Sequence, residues 1–109
     1  MVNTILAFIW LHWFADFFLQ NDKMATSKST SFLWLGAHCS TYGMAFIGWG
    51  WKFALLQAIY HFIVDAISSR VTSHLFAKGD RHNFFVVIGL DQALHITITL
   101  LLAKHMGII

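Results

Sequence analysis

Four apolar runs, each about as long as a helix that crosses a lipid bilayer, constrain this chain more than any other feature. They cover residues 2–20, 32–49, 51–71 and 84–104. Only helices and closed barrels satisfy their own backbone hydrogen bonds in lipid, and an eight-stranded barrel needs a longer chain. The sequence therefore predicts an all-α membrane protein, a four-transmembrane-helix antiparallel bundle that forms one domain over residues 1–109.

The composition agrees with burial in lipid. Of the 109 residues, 58% are apolar and 11% are charged, whereas a soluble domain of this size needs about a quarter of its residues charged to cover its surface. The first run lacks the basic segment and cleavage site of a signal peptide, so we expect a retained helix. A soluble all-α bundle with an unusually apolar exterior is the alternative.

Basic residues between the runs predict an orientation. Cytoplasmic loops of membrane proteins carry an excess of Lys and Arg, and the first and third connections hold five such residues against two on the opposite side. We expect the first connection, and the third, a long loop after residue 71, to lie in the cytoplasm. Both termini are expected outside. The two groups are Lys23, Lys28, Arg70, Lys78 and Arg81, and Lys52 and Lys104. This topology accounts for the net charge of +2, and no motif predicts a nucleic-acid partner.

Three of the runs carry the same motif, a histidine and an aspartate four residues apart. Such residues share one helix face at a separation of about 6 Å. Three or more coincidental pairs among five aspartates have a probability of roughly 2%, so chance is a weak explanation. The pairs are His12–Asp16, His61–Asp65 and Asp91–His95, and the second run carries His38 with Tyr42 four residues later.

The predicted depths of these side chains agree across the bundle. Asp16, His38, Asp65 and Asp91 are expected roughly 6 to 11 Å below the cytoplasmic ends of their helices. The histidines His12, His61 and His95 are expected one turn deeper, as a second layer. Two layers of ligands predict room for two metal ions.

An ionisable residue inside a membrane is costly, so it marks a functional site by default. Nitrogen and carboxylate ligands without thiolate suit a divalent transition metal, zinc first, with Mn or Fe(II) as further candidates. The predicted ligands are His12, Asp16, His38, His61, Asp65, Asp91 and His95. Four more residues are expected around them or toward a substrate: Tyr42, Gln20, Ser69 and Gln92. His74, His82 and His105 are expected at the surface, and the structural alternative is that the buried pairs only join the helices.

The motifs HWFADFFLQ at His12, HFIVDAISSR at His61 and DQALH at Asp91, together with His38, resemble a family of small bacterial and phage membrane proteins of unknown function. The resemblance covers nearly the whole chain. The pattern is more distantly similar to inner-membrane metal-dependent hydrolases of bacteria. These resemblances imply a bacterial or phage origin, the bacterial inner membrane and a bound metal, and the hydrolase connection is an analogy.

Three functions fit these expectations. The first is a membrane-embedded metal-dependent hydrolase of a lipid or lipid-linked ester or phosphoester, in which Tyr42 and Asp16 assist proton transfer and Lys23, Arg70 or Arg81 meets the headgroup. The second is a metal-ion or proton translocator, although the outer halves of the helices carry almost no ionisable residues. The third is a structural or interaction protein. The sequence leaves a homo-oligomer open, including one that builds a pore from several copies.

Overall fold

The computed structural model describes residues 1–20 and 27–109, and this part of the chain folds into four helices without a β-strand. A π-helical turn, Phe14–Phe18, continues the first helix, and a 3₁₀ turn, Ile47–Trp49, precedes the third. The helices are α1 (Val2–Trp13), α2 (Phe32–Met44), α3 (Trp51–Lys78) and α4 (Arg81–His105). The prediction of four helices is therefore confirmed.

The connection between α3 and α4 is much shorter than predicted. We expected the third run to end at residue 71, but α3 continues to Lys78 and α4 already begins at Arg81. This expectation was wrong because polar residues such as Thr72 and Ser73 do not stop a helix that has a supporting neighbour. Gly79 does stop it, since its φ of +82° is left-handed and its N–H group bonds back to Phe76 O at 3.1 Å.

Side-chain caps fix the starts of α2 and α4. Ser31 Oγ accepts a hydrogen bond from the Trp34 N–H group at 3.4 Å, which satisfies one of the free donors at a helix start. Asp80 accepts from the Asn83 N–H group at 3.2 Å and from the Asn83 side chain at 2.8 Å. Hydrogen bonds from the Asn83 side chain and backbone hold the Asp80 pKa below its ordinary value, so this cap stays ionised at neutral pH.

The helices pack as neighbours along the chain, and the bundle measures 43 × 27 × 21 Å. α2 and α4 flank α3, α1 contacts α4, and the π-helical turn contacts α2. The closest approach is at Gly43 in α2, where a Cβ atom would lie 2.6 Å from Ala54 O and 2.8 Å from Ala58 Cβ. Glycine is therefore needed at this helix crossing.

The bundle is polar inside and apolar outside. Its described buried residues include four histidines, three aspartates, Gln57, Ser69 and Thr99, while large apolar side chains such as Trp10, Leu33 and Ile67 are more than half exposed. By length and composition, one helix in the described chain, Arg81–His105, is suited to cross a membrane, and Val2–Phe18 is apolar but shorter. α3 falls outside that class, because the polar residues that it turns to the interior lower its mean hydropathy.

The interior changes character from one end to the other. At the end near the chain termini, Phe8, Phe46, Phe53 and Ala103 form a fully buried apolar cluster. The Phe8 and Phe53 ring centroids are 5.6 Å apart, and those of Phe46 and Phe53 are 5.9 Å apart. One helical turn further on, the buried positions become polar, and they are His12, Tyr42, Gln57 and Thr99. The apolar cluster therefore closes one end of the polar interior.

Candidate metal centre

Steps of four residues along each helix bring the predicted ligands together. In α3 the buried ladder is Phe53, Gln57, His61, Asp65 and Ser69, with Ala54 buried beside it, and in α4 it is Asp91, His95, Thr99 and Ala103. Because a helix repeats every 3.6 residues, such a ladder stays on one face. All seven predicted ligand residues are buried.

Four of these residues converge on one point. His38 Nε2 lies 3.0 Å from Asp16 Oδ1 and 3.3 Å from Asp65 Oδ2. His61 Nε2 lies 3.3 Å and 3.5 Å from the same two oxygens. The two Nε2 atoms are 3.0 Å apart.

These distances match the spacing of ligands around a tetrahedral ion. Zinc bonds of about 2.0–2.1 Å at tetrahedral angles place the ligand atoms about 3.3–3.4 Å from one another. Five of the six separations among the four atoms fall between 3.0 and 3.5 Å. Ionised carboxylates only accept hydrogen bonds, so either a cation lies between these atoms or the imidazoles carry protons on Nε2 and donate to the carboxylates.

A second group shares Asp16 with the first. One atom each of Asp16, Asp91 and His95 lies within 4.8 Å of the others, and His95 Nε2 is 3.1 Å from Asp91 Oδ1. His95 Nε2 is also 3.4 Å from Asp65 Oδ1. Asp65 therefore turns Oδ2 to the first group and Oδ1 to His95, and Asp16 belongs to both groups.

His12 lies outside both groups and joins Tyr42 to Gln92. Since an amide oxygen only accepts, His12 Nε2 donates to Gln92 Oε1 at 2.5 Å, and the Tyr42 hydroxyl at 2.8 Å then donates to Nδ1 of a neutral His12. Gln92 Nε2 donates in turn to Asp91 Oδ2 at 3.1 Å and Asp16 Oδ2 at 3.5 Å. These hydrogen bonds orient the carboxylates of Asp16 and Asp91.

The structure differs from the predicted two layers in the position of the His61 ring. His61 was expected one turn below Asp16, His38 and Asp65, yet its Nε2 reaches the same oxygens as His38. An imidazole is long enough to bridge the one turn between His61 and Asp65. His95 reaches its own i−4 partner, Asp91, in the same way.

Lys28 is the charged group at the centre that the sequence did not identify as part of it. Its Nζ donates to Asp65 Oδ2 at 3.2 Å, and its side chain is about one-fifth exposed. Three carboxylates and one ammonium leave two net negative charges when the four imidazoles are neutral. A buried net charge is strongly unfavourable, and one divalent cation would balance it.

A cavity of about 470 Å³ leads from these carboxylates to the surface. Asp16, Asp65 and Asp91 line it, and the exposed Phe76 lines its outer part. The hydroxyl residues that line it are Ser68, Ser69, Thr72 and Ser73, and the other polar groups are Gln20, Lys28 and Gln92. Gln20, Ser69 and Gln92 were expected near the site, whereas Ser68, Thr72 and Ser73 were missed. The signal is visible in the sequence, because Thr72 follows Ser68 by four residues and Ser73 follows Ser69 by four.

Several predicted participants lie away from this cavity. Tyr42 does not line it, because its hydroxyl contacts His12. Arg70 donates to Ala66 O at 2.8 Å and its guanidinium lies over the Phe32 ring. Arg81 lies near the Phe76 ring, and Lys23 lies outside the described residues.

Comparison with curated proteins and with solved structures gives no match. A family model described as "Protein of unknown function (DUF3307)" matches residues 4–108, a stretch that contains all seven predicted ligands. This confirms the expectation of a family of unknown function, while the likeness to hydrolases stays a prediction. Since the match covers nearly the whole chain, the protein belongs to the DUF3307 family.

Proposed function

We propose that this protein is a membrane-embedded metalloprotein whose buried His and Asp residues bind a divalent transition metal for the hydrolysis of an ester or phosphoester. The observation that carries this proposal is the tetrahedral spacing of Asp16 Oδ1, His38 Nε2, His61 Nε2 and Asp65 Oδ2. Zinc suits two nitrogen and two oxygen ligands at this spacing, with Mn or Fe(II) as the next candidates.

The distribution of polar and apolar side chains supports a membrane location for the bundle. Water would penalise the exposed rings and aliphatic side chains, such as Trp10, Leu33 and Ile67, because soluble monomers rarely expose large contiguous apolar surfaces. In lipid the same surface costs nothing, and ionisable groups face the bundle interior as they do here. We therefore propose that all four helices lie in a bacterial inner membrane.

The chemistry needs a proton acceptor and a proton donor beside the metal. The group of Asp16, Asp91 and His95 has three protein ligands, so a metal ion held there would keep a position open for water. Such an ion would supply Lewis acidity and would lower the pKa of that water molecule. Hydrolysis forms a bond from the water oxygen to carbon or phosphorus and breaks the ester bond, so the water proton needs an acceptor and the leaving oxygen needs a donor. The carboxylates of Asp16 and Asp91 line the cavity as acceptors, and the Lys28 ammonium lines it as the donor.

Tyr42 has a positioning role in this scheme. Its hydroxyl donates to His12, which donates to Gln92, which donates to the carboxylates of Asp16 and Asp91. Removing the hydroxyl would free His12 to rotate without removing a group from the cavity.

One observation counts against the alternative that the protein is a translocator. A path for ions must continue to the other side of the bundle, yet Phe8, Phe46, Phe53 and Ala103 close that end and are at most 2% exposed. Within the described residues, the polar interior is therefore a chamber that is closed at this end and whose mouth is the cavity lined by Asp16, Asp65 and Asp91. The purely structural alternative replaces the metal by protons on His38 and His61, and the following experiment separates it from a metal site.

The test is the metal content of protein purified in mild detergent, measured by elemental analysis. We expect at least one tightly held transition metal ion per chain and loss of most of it in Asp65→Asn, because asparagine keeps the shape but loses the charge that balances the cation. Asp80→Asn is the matched control, since asparagine preserves that exposed helix cap and the site is distant. Metal-free wild type together with unchanged or raised thermal stability of Asp65→Asn would leave only the structural role.

A further inference from the structure

A second cavity adjoins the polar one on the outside of the bundle. It has a volume of about 300 Å³ and lies between α3 and α4. Ser68 and Asp91 line both spaces, and the Ser68 hydroxyl donates to Asp91 Oδ1 at 2.5 Å. This single hydrogen-bonded pair therefore stands at the junction between the two spaces.

The outer space is an apolar groove. Apart from Ser68 and Asp91, its lining consists of aliphatic side chains, five of which are 41–65% exposed. From residue 63 to residue 71 it follows α3 for about 12 Å at the helical rise per residue. Its aliphatic members are Ile63, Val64, Ile67, Val71, Val87, Leu90 and Leu94.

The inner space has the opposite chemistry. Hydroxyl groups of Ser69 and Ser73 and the ammonium of Lys28 provide hydrogen-bond donors along it. Three carboxylates also line it, so an anionic head group needs their charge to be balanced by a cation or by protons on the imidazoles. Its volume of about 470 Å³ falls within the roughly 300–1,000 Å³ of typical small-molecule sites. Charged and hydroxyl donors of this kind suit a phosphate oxygen.

We propose that the substrate is an amphiphile, a phosphate ester of a single hydrocarbon chain, with its head group in the hydroxyl-lined cavity and its chain in the groove between α3 and α4. The apolar groove is continuous with the polar cavity at Ser68 and Asp91. A molecule that fills both spaces must therefore have an apolar chain and a polar head group. A chain that lies there places its head group beside Asp91 and within the proposed metal centre. The location of the reacting bond rests on the proposed function, whereas binding of the amphiphile needs only that the carboxylate charge is balanced, by a metal ion or by protons on the imidazoles.

The groove can be filled without touching the centre. Ile67 is 65% exposed and lines the groove but not the polar cavity, so Ile67→Trp should occupy the place of the chain while the fold persists. Leu101 is 62% exposed on α4 and lines neither space. Leu101→Trp is therefore a matched control for an added ring on the outer surface.

The experiment uses the full chain in phosphatidylcholine nanodiscs and hexadecyl phosphate that carries a photoreactive diazirine in its chain. Labelling that excess unmodified hexadecyl phosphate displaces is the measured quantity, with the labelled residues mapped by mass spectrometry. We expect displaceable labelling at Ile63, Leu90 or Leu94, reduced at least tenfold by Ile67→Trp and unchanged by Leu101→Trp. Hexadecanol and inorganic phosphate, which lack the head group and the chain respectively, should displace it poorly.

Equal displaceable labelling of Ile67→Trp and wild type would overturn the proposal, as would labelling confined to other helices or equal displacement by inorganic phosphate. Metal content, measured on the same samples, separates this inference from the proposed function. Groove labelling in metal-free protein would support the amphiphile site and count against the hydrolase. Bound metal without displaceable groove labelling would count against the amphiphile site and would support the metal centre of the proposed function.

Discussion

At the scale of single residues, the aspartates decide what the interior can bind. Asp16 Oδ1 faces His38 and His61, while Asp16 Oδ2 lies 3.8 Å from His12 Nε2 and accepts from Gln92. Asp16 also belongs to both groups of candidate ligands, and a carboxylate shared in this way is suited to bridge two metal ions about 3.5–4 Å apart. Asp16 is therefore the residue through which a second metal would be held.

Lys28 gives a prediction that a purely structural cluster does not make. Its ammonium is 3.2 Å from Asp65 Oδ2, so it repels a cation bound at the same carboxylate. We expect Lys28→Gln to lower the metal dissociation constant by about tenfold, because one unit charge nearby changes the binding free energy by on the order of 1 kcal/mol once solvent screening is included. Competition with a metal chelator measures this constant.

Lys104→Gln is the control for Lys28→Gln, since it removes the same charge from an exposed position at the other end of the bundle. Its metal affinity should equal that of the wild type. An equal or weaker affinity in Lys28→Gln would mean that the ammonium does not act on the bound metal, and its proposed place beside Asp65 would be wrong. Its role as a proton donor would then lose its structural basis.

At the scale of the helices, one irregular turn presents Asp16 to the centre. The Leu19 N–H group bonds to Phe14 O at 2.8 Å, a five-residue step that marks a π-helical turn. Such turns are frequent at functional sites. This turn contacts α2, the helix that carries His38, so it helps to bring Asp16 and His38 together.

Gly43 controls how closely α2 approaches α3. In Gly43→Ala the added methyl would lie 2.6 Å from Ala54 O and 2.8 Å from Ala58 Cβ, and overpacking of this kind costs about 1–3 kcal/mol. We expect a lower unfolding temperature in detergent. We also expect weaker metal binding, because α2 carries His38 and α3 carries His61, whose Nε2 atoms are 3.0 Å apart.

Gly36→Ala is the matched control on the same helix. A Cβ at Gly36 has no atom within 4 Å, so this change should raise stability by up to about 1 kcal/mol through helix propensity alone. If Gly43→Ala were as stable as Gly36→Ala and bound metal equally well, the close crossing at Gly43 would have no part in forming the centre.

The sequence predicted the features that depend on helical periodicity. It predicted few of the features that depend on how one helix is rotated relative to another. The four-residue step placed His61 and Asp65 on one face, and burial of that face followed from its polarity in an apolar chain. Periodicity does not fix the rotation of α2 relative to α3, which brings His38 to His61. It also does not reach Lys28, which approaches Asp65 from a connection, or the length of α3, which Gly79 sets.

At the scale of the whole molecule, the mouth of the chamber and most basic residues lie at the same end. The cavity reaches Thr72, Ser73, Phe76 and Phe84 around the turn between α3 and α4, while the apolar cluster closes the end near the termini. In α3 and α4, Arg70, Lys78 and Arg81 lie toward this turn. For the proposed membrane location, the positive-inside rule predicts that the mouth faces the cytoplasm, where it would admit an amphiphile from the inner leaflet.

Cysteine labelling of intact cells tests this arrangement, in a Cys39→Ala background that removes the native thiol. Ser29→Cys and Ser73→Cys at the mouth should react with a membrane-impermeant maleimide only after the cells are opened, whereas Val2→Cys and Ile108→Cys should react in intact cells. The reason is that basic residues near helix ends are retained in the cytoplasm during insertion. The opposite labelling pattern would turn the chamber toward the outer leaflet and would require a substrate from that side. Protein that stays soluble without detergent would contradict the membrane location itself, and the apolar groove between α3 and α4 would then need an occupant other than a membrane amphiphile.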